Sequence, residues 1–141
     1  MNPLLSPSEL PYSLPPFDQI KDEHFEPAVD EAMRLHRGEI DRIVAQSDTP
    51  SFENTIVQLE QSGAALHRAS TAFWSLVAAH GSPAMRAAER SIASKLSGHR
   101  DAIRMNRGLF ERIDEVYQSK PSLGTEERRL LERYRDDFVR A

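Results

Sequence analysis

The sequence predicts an all-α protein, about five helices in a bundle-like array preceded by an extended proline-rich arm. Three observations predict it. Apolar residues recur three and four apart along most of the 141-residue chain, which is the period of one face of a helix. No stretch alternates apolar and polar residues as a half-buried strand does. Capping and stopping residues, such as Gly81, Ser82-Pro83 and Asn106, punctuate the periodic stretches.

Residues 1–20 carry five of the nine prolines. These forbid a continuous helix and favour a polyproline-like path. Leu4, Leu5, Leu10, Tyr12, Leu14, Phe17 and Ile20 make this arm too apolar for a solvated linker. It is expected to pack along the helical body, residues 21–141, as a strap. The first helix follows, with Phe25, Val29, Ala32, His36, Ile40 and Ile43 on one face and Asp22 as candidate cap, Pro27 requiring either a place in the first turn or a short turn before the main helix. The segment QSDTP ends it.

The longest element is expected between Pro50 and Gly81. Phe52, Ile56, Leu59, Gly63, Leu66, Ser70, Phe73 and Val77 form a seam, with Ser51 as N-cap and Glu53 complementing the dipole. Gly63 and Ser70 are small residues on that seam, where a neighbouring helix could come close. A third helix opens at Ser82-Pro83, carries Met85, Ala88, Ile92, Leu96, His99 and Ile103 on one face, and ends near Met105. Asn106 caps a fourth, with Leu109, Ile113 and Val116 inward. After the loop SKPSLG, Thr125, Glu126 and Glu127 open a fifth, whose stripe is Leu131, Tyr134 and Phe138. Its last segment, LLERYRDDFVRA, stays helical without a stop residue, so the chain is expected to be truncated from a larger protein.

Composition narrows the function. With 22 acidic and 18 basic residues interspersed, no basic face is prepared for a phosphate backbone, so no nucleic-acid partner is expected. The absence of cysteine removes disulfides and thiolate metal sites. No run approaches the ~18 apolar residues of a membrane span, so no membrane partner is expected. No secretory leader is visible, which favours a cytoplasmic protein and leaves a periplasmic one open.

The residues offer little catalytic chemistry. His24, His36, His67, His80 and His99 include no pair three or four apart, the spacing by which two imidazoles on one helix reach one zinc. His36 and His99 lie on apolar faces, where packing outweighs metal binding as a reading. No cysteine nucleophile, Gly-x-Ser-x-Gly elbow or glycine-rich phosphate loop occurs. The pairs Asp22-Glu23, Glu126-Glu127 and Asp136-Asp137 diverge on a helix and read as solvated surface. Trp74 with His67 and Thr71 forms a candidate ligand face, against the alternative of a packing anchor. No catalytic, cofactor-binding or metal residue is therefore assigned.

Three stretches taken together resemble the N-terminal region of thimet-oligopeptidase-type zinc metallopeptidases: LPPFDQIKDEHFEPAVDEAM (14–33), PSFENTIVQLEQSGAAL (50–66) and LLERYRDDFVRA (130–141). The last two most resemble the bacterial peptidyl-dipeptidase branch, also called dipeptidyl carboxypeptidase. The opening NPLL and the arm are also similar to oligopeptidase A. The resemblance implies a largely helical enzyme with a deep channel that releases C-terminal dipeptides from short peptides. It also implies a zinc held by a His-Glu-x-x-His helix and a downstream glutamate, positions absent from this chain. The chain is then expected to be a channel-wall and cover segment, inactive alone, with the remainder of the same polypeptide as its partner and self-association when isolated. The alternative is a stand-alone helical module that docks a partner beside Gly63 and Ser70.

Overall fold

The computed structural model describes residues 24–80 and 83–140. The arm expected at residues 1–20 and the cap expected at Asp22 lie outside them. All regular structure among the described residues is helical. α1 runs Phe25–Val44, a π-helix Phe52–Val57 and α2 Gln58–Gln61. α3 spans Ala64–His80, α4 Pro83–Arg104, α5 Arg107–Gln118 and α6 Thr125–Val139. Pro27 falls in the first turn of α1, where its missing N–H has no intrahelical acceptor to serve.

The unbroken helix expected from Pro50 to Gly81 is not found. The chain leaves α2 at Ser62 (φ −72, ψ 156) and passes through the left-handed region at Gly63 (φ 77) before α3 begins. An added Cβ at Gly63 would lie 3.2–3.3 Å from three atoms of the His36 ring. The small residue that resembled a helix–helix contact thus serves a tight turn beneath an imidazole. The Ser62 hydroxyl donates to the Leu59 carbonyl at 2.6 Å, meeting an acceptor left over at the end of α2. At the other end, the expected Ser51 cap is present: Asn54 N donates to its Oγ at 3.1 Å, and Ser51 N donates to Asn54 Oδ1 at 2.8 Å.

The chain divides into two compact units, one ending its first segment at His36 and resuming for Gly63–Ser97, the other comprising Arg37–Ser62 and the residues from Gly98 onward. In the first, Phe25, Val29, Phe73 and Ile92 are completely buried. The Phe25 and Phe73 rings meet edge to face, 5.1 Å between centroids. Each such side chain contributes about 1.5–3 kcal/mol by leaving water. At the edge of this core Glu26 Oε1 accepts from Ser91 Oγ at 2.6 Å and from Lys95 Nζ at 2.9 Å, and Lys95 also reaches Asp30 Oδ1 at 2.9 Å. The Ser91 hydrogen bond, then Lys95, holds the Glu26 carboxyl below the usual carboxylate range.

In the second unit Ile56, Leu109, Ile113 and Val116 are completely buried, joined by Ile40, Ile43, Phe52, Leu59, Leu131 and Phe138. α5 begins so close to the end of α1 that a Cβ on Gly108 would lie 2.7 Å from Val44 Cγ1. Asn106 caps α5 as expected, its Oδ1 accepting from Leu109 N at 3.0 Å. α5 ends with Lys120 in the left-handed region (φ 47). α6 opens at Thr125 as expected, with Gly124 as its cap and no side-chain capping bond.

Candidate functional site

The second unit holds a polar knot at the start of the π-helix. Asn54 Oδ1 accepts from Ser51 N, from Thr55 Oγ1 at 2.8 Å and from Arg112 Nη2 at 3.1 Å. Asn54 Nδ2 donates to the Thr49 carbonyl at 3.0 Å, and the Asn54 carbonyl accepts from Gln46 Nε2 at 2.8 Å. Arg112 closes the loop by donating Nη1 to the Gln46 carbonyl at 3.2 Å. One side chain thereby joins the capping box, the loop after α1 and α5. The Arg112 guanidinium is buried among neutral acceptors, and its Nε meets no acceptor. A buried cation of this kind is costly unless its other contacts are good.

Gln46 also lines a cleft of about 530 Å³ with Glu39, Arg42, Ile43, Gln58, Gln61 and Ser62. The lining mixes amides with one acid and one base. Such groups can hydrogen-bond an extended peptide backbone. A smaller cavity of about 320 Å³ lies at the α5–α6 turn, with Tyr117, Lys120, Leu123, Arg128 and Leu131 in its wall. Beside it the Arg135 guanidinium lies 4.3 Å from the Tyr117 ring centre and bonds Asp114 Oδ1 at 3.0 Å. Near the end of α2, Glu60 accepts a hydrogen bond from the Tyr134 hydroxyl. Burial, then this bond, raises the Tyr134 phenol well above its ordinary value.

The residues singled out from sequence disperse. His36 packs against Gly63 in the first unit, while His99 is buried in the second. Among the described residues no three imidazole or carboxylate groups come together as metal ligands. Trp74 is 39% exposed, and His67 and Thr71 are exposed on the same helix, so they share a solvent face. Trp74 meets the Phe73 ring edge to face at 5.1 Å. Sequence reasoning missed Asn54, Gln46 and Arg112. The spacing of Ser51 to Asn54 carried a signal, being that of a capping box, and so did an arginine between Leu109 and Ile113 on the buried stripe of α5. No helix among the described residues is long and apolar enough to cross a membrane.

No protein-family profile matches the chain. Over 142 residues it is 41% identical to dipeptidyl carboxypeptidase of Salmonella typhimurium, covering 99% of this chain and 21% of that protein. Dipeptidyl carboxypeptidase of Escherichia coli is 41% identical over 143 residues, covering 100% of this chain and 21% of that protein. Oligopeptidase A of Escherichia coli is 29% identical over 139 residues, 97% of this chain and 20% of that protein. The chain thus spans about a fifth of the length of these curated relatives.

Proposed function

We propose, from the premise that this chain is related over nearly its whole length to dipeptidyl carboxypeptidase, that it is the N-terminal helical segment of a zinc peptidase releasing C-terminal dipeptides from short peptides. The observation that carries this is the 41% identity sustained from end to end of the chain. The segment serves as wall and cover of the peptide channel, its partner being the remainder of the same polypeptide. The described residues do not fit a catalytic zinc, since no set of three imidazole or carboxylate ligands converges among them. The zinc and its His-Glu-x-x-His helix belong to the remainder, and no described residue of this segment takes a step in the hydrolysis.

The test has two arms. The coding region is expected to run in frame beyond the Ala141 codon into a His-Glu-x-x-His sequence, and a stop codon within a few dozen codons, with no such motif, would refute the proposal. The longer polypeptide is expected to release dipeptides from an unstructured peptide and to lose that activity to a zinc chelator. The 141-residue chain is expected to release none, with or without added zinc.

A further inference from the structure

The cavity at the α5–α6 turn is ringed by charges without a counter-charge of their own. Lys120, Arg128 and Glu132 all line it and are exposed. Arg128 and Glu132 stand one turn apart on α6, the spacing of a helical ion pair. Yet neither they nor Lys120 joins an ion pair among the described residues. The neighbouring Arg135 is engaged: it bonds Asp114 at 3.0 Å and lies 4.3 Å from the centre of the Tyr117 ring, which makes that ring a fixed part of the wall. Leu131, buried, and Leu123, half-buried, complete the apolar side of the cavity.

The backbone of Lys120 is a second observation. This residue follows α5 in the left-handed region, at φ 47, where a helix normally ends on glycine. A lysine kept where glycine suits the backbone better points to a use for its side chain, and that side chain stands at the cavity. At about 320 Å³ the space holds on the order of ten water-sized groups of ~30 Å³ each, the bulk of an amino acid or a dipeptide. Two cations and one carboxylate around apolar walls complement a ligand that carries a carboxylate, an ammonium and an apolar side chain. We propose that this cavity binds an apolar amino acid or dipeptide as its zwitterion. Lys120 and Arg128 hold the carboxylate, Glu132 the ammonium, and Tyr117, Leu123 and Leu131 the side chain. The assignment uses only the charges and walls of the cavity, and it stands independently of the peptidase reading.

Alanyl-leucine and leucine, titrated into the isotope-labelled 141-residue chain, are expected to shift the backbone amide resonances around the cavity saturably. A dissociation constant of about 1 mM suits a ligand of this size, and the tighter of the two identifies the source. The C-terminal amide of alanyl-leucine and its N-acetyl derivative each lack one charge and are expected to bind about fivefold more weakly, the worth of one exposed ion pair. Diglycine lacks the apolar side chain and is expected to bind about tenfold more weakly. Lys120→Gly is expected to fold more stably, since glycine suits the turn, and to bind alanyl-leucine about fivefold more weakly. Glu132→Gln is expected to erase the difference between alanyl-leucine and its N-acetyl derivative, which a purely structural carboxylate would leave in place. Three results overturn the proposal: shifts that do not saturate by about 10 mM, equal binding of the C-terminal amide, which leaves an apolar cleft only, or a Lys120→Gly variant that binds as tightly as its parent.

Discussion

Replacing Gly63 by alanine separates the broken helix found here from an unbroken one by the sign of its effect. In the middle of a regular helix, Gly→Ala stabilises by about 1 kcal/mol. Gly63 instead has φ 77, a conformation that costs an L-residue about 1–2 kcal/mol. The new Cβ would also press to 3.2–3.3 Å on the His36 ring, at a further cost of about 1 kcal/mol, the low end for overpacking because a half-buried imidazole can give way slightly. Gly63→Ala is therefore expected to destabilise by about 2–3 kcal/mol. Urea unfolding followed by Trp74 fluorescence measures it, since Trp74 and Gly63 belong to the same compact unit. With a denaturant slope of about 1–3 kcal/mol/M the midpoint falls by roughly 1 M or more. In a His36→Ala background the penalty of the glycine replacement is expected to shrink by about 1 kcal/mol, since only the crowding is relieved. A Gly63→Ala variant as stable as its parent, or more stable, would refute the turn.

Asn54→Ala is expected to cost about 2 kcal/mol or more, because it removes half of a capping box and leaves Arg112 Nη2 without its acceptor; chemical denaturation checks this. Lys120→Gly removes a left-handed lysine at the end of α5 and is expected to raise stability by about 0.5–1 kcal/mol in the same assay. The Glu26 carboxyl is held low by Ser91 and Lys95, so its contribution is present above the unfolded value near 4.3 and is lost as pH falls below it through the folded value. Melting profiles of Glu26→Gln are expected to show a shallower loss of stability on that acid limb than the parent, and parallel limbs would count against the clasp. Met105 and Val139 are 76% and 56% exposed, so the isolated chain is expected to self-associate, and Met105→Lys/Val139→Lys to reduce this in light scattering; a strict monomer at all concentrations would contradict it.

The helix set was legible because each helix carries local punctuation. Asn106 caps α5 where its position between two periodic stretches placed it, and α4 starts at Pro83 for the same reason. The seam from Phe52 to Val77 was legible as an inward face, yet it divides between two cores: Phe52, Ile56 and Leu59 in one, Leu66, Phe73 and Val77 against the other. The three-and-four spacing runs on through Gly63 in the sequence, because periodicity reads the same whether the two stretches serve one core or two. A positive φ carries no periodic signature, and only the presence of a glycine hinted at it.

The polar knot was illegible for a different reason. Arg112 meets Gln46 and Asn54 across 66 and 58 residues of chain, and pairing at that distance is set by how α5 packs, which no local pattern encodes. Function was hidden further still, because catalytic chemistry requires convergent groups, and among the described residues no three imidazole or carboxylate groups come together as metal ligands. What the residues did carry is subtler than a motif. Reading α3 for its apolar stripe finds the buried side; reading the opposite side for charge finds none. In a protein whose other helices spend their outer faces on ion pairs such as Arg34–Glu31 and Arg107–Glu111, an uncharged outer face is evidence about surroundings.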